Sequence, residues 1–265
     1  MINNIFYFIK YHFYKLIIRK YRISAIKSYG FYINDYLMDE KNDMDRLFNK
    51  YGSDKGGKKN KYLGWKPHNY GQIYNDLFSS LRFRKFNLLE VGIGSVDKNI
   101  KSSLPYYAKS GASLRAFRDY FKQANIYGCD IDKKTLFKEQ RIFTFELDQT
   151  SKKDVKEKLS LINKDFHIII DDGLHTFEAN ICFFEVAIKY LALEKNGGGG
   201  AESKLKKTIK HPENRFYIIE DVNEWDMNKY YNYFSKKKKY KINFYSIHNP
   251  SFFGKSNNLI IIRVK

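Results

Sequence analysis

The chain has 265 residues, with 48 Lys and Arg against 29 Asp and Glu, a formal net charge of +19. Hydrophobic content of 43% and aromatic content of 17% exclude general disorder. Two cysteines, Cys129 and Cys182, exclude a disulfide scaffold and a Cys-rich zinc module, and fit a reducing, cytoplasmic setting.

The basic balance invites a nucleic-acid partner, but no recognisable RNA- or DNA-binding motif accompanies it. Lys, Asn, Ile, Tyr and Phe share A- and T-rich codons, so base composition of the gene accounts for much of the charge. The function class this leaves in reserve is a nucleic-acid-directed enzyme or binding protein.

Residues 1–37 mix aromatics with Lys and Arg and carry one acid, Asp35. Lys10, His12 and Lys15 interrupt any export-signal core. No uncharged apolar run reaches the roughly 18 residues of a membrane span. Through Lys20 the apolar residues Ile5, Phe8, Ile9, Phe13, Leu16 and Ile17 recur at three and four, the spacing of an amphipathic helix. Such a basic extension suits packing on its own domain, a homo-oligomer contact, or peripheral contact with an anionic membrane. Residues 38–70 read as polar and loop-like.

From residue 84 strands and helices alternate. NLLEVG, IYGCDID, RIFTFEL, FHIIID and RFYIIED read as strands. SLRAFRDYFKQA, SKKDVKEKLSLIN (with Ser151 as N-cap) and EANICFFEVAIKYLALEK read as helices between them. KINFYSI and NNLIIIRV close the chain as two further strands. This alternation predicts a doubly wound α/β sheet, a Rossmann-like fold. A glycine- and lysine-rich segment, residues 196–214, interrupts it as a surface insertion. The domain division this predicts is a basic extension over 1–46 and one catalytic domain over 47–265.

Chemistry-bearing residues fall at the strand ends, where ligands bind in open α/β sheets. In LLEVGIGS, Glu90 precedes Gly92 and Gly94, whose backbone can approach a ligand closely. Asp97 stands where a dinucleotide fingerprint needs its third glycine, which disfavours a nicotinamide cofactor. In CDID, Asp130 is placed to bind ribose hydroxyls; Asp132 is the alternative, and either acid can instead cap the turn near Lys133. Asp148 and Gln149 can bond an adenine edge or the loop around it. IIIDDGLHTF sets Asp171, Asp172 and His175 together, and YIIEDV ends on Glu220 and Asp221. Carboxylates converging from neighbouring strand ends repel unless a hard cation such as magnesium joins them.

The collinear series YGSDKG, HNY, LLEVGIG, SLRAFRDYF, IYGCDID, LDQT, IIIDDGLHTF and YIIEDV resembles the metal-dependent class I S-adenosylmethionine O-methyltransferases that act on deoxysugars of macrolide antibiotics. The resemblance spans roughly residues 47–265. It implies a seven-stranded sheet with an antiparallel last strand, S-adenosylmethionine and Mg2+ as cofactors, and a sugar as acceptor. Related enzymes serve surface polysaccharides, which implies a nucleotide-linked sugar, a capsular heptose among the candidates. By the same resemblance Asp172, Glu220 and Asp221 bind the metal and His175 is the general base. Glu90, Gly92, Gly94, Asp130, Asp148 and Gln149 bind the cofactor. Ser53, Asp54 and Lys55 cover its methionine end, and His68 and Tyr70 match a companion segment of unassigned role. Leu174 departs from the serine usual in the family.

Overall fold

The computed structural model describes residues 30–34, 42–58, 67–191, 215–247 and 258–264. The amphipathic stretch through Lys20 and the 196–214 insertion lie outside them.

Strands β1 (Gly30–Asn34), β2 (Asn87–Val91), β3 (Asn125–Asp130), β4 (Lys138–Glu139), β5 (Ile142–Glu146), β6 (Ile168–Asp171), β7 (Phe216–Val222), β8 (Tyr240–Ile247) and β9 (Asn258–Val264) form one sheet. Its order is β1-β8-β9-β7-β6-β2-β3-β5-β4. The final strand β9 runs antiparallel to both β7 and β8. The expected seven-stranded arrangement is therefore present, with one short strand added at each edge. β4 pairs antiparallel with β5, and β1, from within the basic extension, pairs parallel with β8.

Described helices are α1 (Asp43–Tyr51), α2 (Gly71–Phe78), α3 (Ala112–Tyr120), α4 (Lys152–Ile162), α5 (Phe177–Ala187) and α6 (Met227–Phe234). The sheet is buried on both faces, so its central strands read as continuous apolar runs. Alternate residues still face opposite layers. Leu88, Ile168, Ile170, Ile218 and Ile261 pack with Phe48, Tyr74 and Phe117 of α1, α2 and α3. Leu89, Ile169, Tyr217, Ile219 and Ile260 pack with Leu159, Phe183 and Tyr230 of α4, α5 and α6.

Helix α1 corrects the loop-like reading of residues 38–70. Asn42 caps it by accepting from the Asp45 N–H at 2.7 Å. Gly52 ends it at φ 81°, a left-handed stop that glycine adopts without strain. Met44 and Phe48, four apart, are fully buried. Apolar anchoring at that spacing outweighs the polar composition of the flanks. The helix runs across the division expected at residues 46 and 47.

Ser151 does cap α4, accepting from the Asp154 N–H at 3.3 Å. Ser151→Ala should lower stability by about 1 kcal/mol, read as a shifted midpoint with unchanged slope in urea unfolding.

Candidate active site

Strand β2 carries Glu90 one residue before its end, fully buried and accepting from the Ser113 hydroxyl at 2.6 Å. The chain then turns through Gly92 at φ 84° and Gly94 at φ 93°. A Cβ on Gly92 would lie 2.0 Å from the Asp172 carbonyl oxygen. Glycine is required there because the loop after β2 rests directly on the turn after β6. The Asp172 N–H donates to the Val91 carbonyl at 2.9 Å, closing that contact.

Asp130, at the end of β3, accepts from the Ile93 N–H at 2.9 Å and from the Asp132 N–H at 3.0 Å. It thereby fixes the glycine loop, and burial raises its pKa above the usual carboxylate value. Asp132 is the capping acid, accepting from the Lys134 N–H at 2.9 Å, and it also takes the Ser95 hydroxyl at 2.6 Å. The Gln149 amide is committed to the turn after β6. It donates to Asp171 at 3.0 Å and accepts from the Leu174 N–H at 2.7 Å. Burial lifts Asp171 to about 6.

The segments YGSDKG and HNY, far from the strand ends in sequence, complete the site. They pair through backbone bonds from His68 to Asp54 at 2.7 Å and from Tyr70 to Lys55 at 2.9 Å. This brings the Lys55 side chain, 2% exposed, into the acid cluster. Its Nζ lies 2.5 Å from Asp172 Oδ2, 2.5 Å from Glu220 Oε2 and 3.3 Å from Glu90 Oε1. Burial alone would lower its pKa, but Asp172, Glu220 and Glu90 more than offset that and hold it well above the usual lysine value.

One ammonium does not satisfy this cluster. Burial pushes Glu90 up to about 7 and Glu220 well above the usual range, and it raises Asp172 too, with neighbouring carboxylates adding to each shift. Among the described residues, neither the buried Glu90 Oε1 nor the buried His175 Nδ1 has a hydrogen-bond partner. Among the described residues, ligand atoms of Asp172, His175 and Asp221 lie within 4.8 Å of one another, a grouping fit for a cation. His175 and Asp221 are both held in the left-handed region, at φ 57° and 51°. Strain of this kind persists only where its surroundings enforce it.

Asp221 accepts from the Tyr70 hydroxyl at 2.5 Å and lies 3.2 Å from His68 Nδ1. Glu220 accepts from the Tyr74 hydroxyl as well as from Lys55. So His68 and Tyr70 acquire a role the sequence left open, holding Asp221. Tyr74 and Ser113 were not foreseen, and their one sequence signal is spacing within an ordinary amphipathic helix.

A cavity of about 610 Å³ opens over these strand ends. Gly92, Gly94, Asp130, Asp148 and Gln149 line one part of it. Ser53, Asp54, Lys55, Asp172, His175 and Asp221 also line it, whereas Glu90 and Glu220 lie behind the wall.

No protein-family model matches the chain. It is 31% identical over 126 residues to the 8-demethyl-8-alpha-L-rhamnosyl tetracenomycin-C 2'-O-methyltransferase of Streptomyces olivaceus, covering 48% of this chain and 29% of that protein. It is 34% identical over 139 residues to the demethylmacrocin O-methyltransferase of Streptomyces fradiae, covering 52% of this chain and 31% of that one. The MycE methyltransferase of the mycinamycin biosynthetic pathway, solved in complex with Mg, SAH and mycinamycin VI, superposes with a TM-score of 0.50 at 24% identity, over 70% of this chain and 40% of that one.

The chain has the class I methyltransferase fold. In sequence it is similar to sugar O-methyltransferases, as its motif order led us to expect. It spans under a third of the length of the two curated relatives, 29% and 31%. Among the described residues, no helix is long and apolar enough to cross a membrane.

Gly92→Ala should be strongly destabilising, by about 2 kcal/mol or more, because the clash is with backbone and the conformation is left-handed. Urea unfolding of the variant measures this, and a change within 0.5 kcal/mol would be the contrary result.

Proposed function

We propose that this chain is an S-adenosylmethionine- and Mg2+-dependent O-methyltransferase acting on a sugar hydroxyl. One observation carries the reading: a single cavity joins a glycine-rich strand end to the grouped Asp172, His175 and Asp221. Similarity to O-methyltransferases named for sugar-bearing substrates supports it.

The donor set fits magnesium, which prefers oxygen ligands and tolerates retained waters. Asp172 and Asp221 face the cavity and would hold the ion, with Glu220 behind them as the third carboxylate of the set. When bound, S-adenosylmethionine would supply an electrophilic methyl group, and a cation held by the acids would lower the pKa of the acceptor hydroxyl. The chain's own part is alignment and proton transfer. The glycine loop offers backbone to the cofactor, Asp130 and Asp148 its nucleoside side, and Ser53 and Asp54 its methionine end. His175 takes the hydroxyl proton at Nε2, the nitrogen 4.0 Å from Asp221 Oδ2. Asp221 steadies the imidazolium that forms.

The finer reading concerns the acceptor, a nucleotide-linked sugar of the kind used for surface polysaccharides such as capsule. Lys101 and Lys109 line the cavity and are exposed, and the net charge of +19 favours an anionic substrate.

S-adenosylhomocysteine production across a panel of nucleotide sugars, with Mg2+ or with EDTA, tests both parts. Turnover should need one sugar and vanish in EDTA; turnover that survives EDTA removes the metal from the reading. Asp172→Asn and His175→Ala should each lower kcat/KM by about 100-fold or more. Lys101→Ala and Lys109→Ala should raise KM for a nucleotide sugar several-fold with little change in kcat, and an unchanged KM would count against the anionic acceptor.

A further inference from the structure

The innermost position of the acid cluster is filled by a side chain. Lys55 Nζ meets one oxygen from each of Glu220, Asp172 and Glu90, at 2.5, 2.5 and 3.3 Å. The ammonium donates to Asp172 and Glu220 and lies within ion-pair distance of Glu90, three carboxylates brought from the turn after β6, β7 and β2. The opposite oxygens of the two buried glutamates are turned elsewhere, Glu90 Oε2 to Ser113 and Glu220 Oε1 to Tyr74. The inner oxygens therefore converge on one point, as they would around a small cation. Among the described residues the fully buried Glu90 Oε1 has no hydrogen-bond donor, and it meets Lys55 through the 3.3 Å ion pair.

A divalent ion at this point would need the oxygens that Lys55 already holds, Glu220 Oε2 and Asp172 Oδ2 at 2.5 Å and Glu90 Oε1 at 3.3 Å. Two cations packed against the same buried carboxylates would also repel each other, so an ion beside Asp172 and Asp221 excludes a second one here while the ammonium stays. We propose that Lys55 occupies the place of a second metal ion, and so makes this a one-ion site. The inference rests on the cation reading above and adds its stoichiometry.

Equilibrium dialysis against Mn2+, with the bound ion counted by electron paramagnetic resonance, reads that stoichiometry without any turnover. The wild-type chain should bind one Mn2+. Lys55→Met should bind two, the second at least tenfold more tightly than any further Mn2+ on the wild type. Lys55→Arg, which keeps the charge, should stay at one. A single ion in both wild type and Lys55→Met overturns the inference and leaves the cation reading intact. Two ions on the wild type also overturn it, whereas none on the wild type removes the cation reading itself. Should Lys55→Met lack a cooperative melt, Lys55→Gln carries the same test, since its amide can still hydrogen bond the carboxylates without the charge.

Discussion

A buried ammonium and a set of buried carboxylates each carry a desolvation cost that only the other can offset. In this fold that mutual need is met at Lys55. Its contacts reach 117 residues along the chain to Asp172 and 165 to Glu220. Through them a segment upstream of the alternating strands becomes part of the crevice at their ends. The same segment then presents its backbone to the HNY stretch, and so carries His68 and Tyr70 to Asp221. Loss of the central pairing would expose three acids to one another and release both segments together.

Tyrosine is the second device of the site. Tyr70, Tyr74 and Tyr217 donate their hydroxyls to Asp221, Glu220 and Asp171. Burial and the neighbouring acids push all three phenols well above the usual tyrosine value. They therefore stay protonated donors wherever the carboxylates are ionised. A neutral donor suits this place because it orients an acid without cancelling its charge, which a cation needs. Their rings also fill the layers on either face of the sheet, so one residue type serves both core and site.

The strands and the acids at their ends were legible because both are short-range patterns. A buried parallel strand is an apolar run, and the topology requires its carboxyl end to face the crevice. The Ser151 cap was legible for the same reason. Helix α1 was missed although its signals, Asn42 before and Gly52 after, were present; the polar flanks masked the spacing of Met44 and Phe48. Lys55 was marked as a site residue, but its central place among Glu90, Asp172 and Glu220 was not readable. No local pattern announces a contact spanning 165 residues. Nor did spacing show that Gln149 would serve the turn after β6, since its partners Asp171 and Leu174 lie beyond a whole helix.

The acid cluster and the basic chain around it constrain how an acceptor can lie. A net charge of +19 draws anions toward the surface at long range. At short range the Asp172 and Asp221 carboxylates repel a phosphate unless a divalent ion balances their two charges. On the proposed reading, the hydroxyl to be methylated would lie toward Asp172, His175 and Asp221, and Lys101 and Lys109, which line the same cavity, would offset the charge of a phosphate. Leu174, in the turn between Asp172 and His175, adds an apolar surface where a hydroxyl would have offered a competing hydrogen bond.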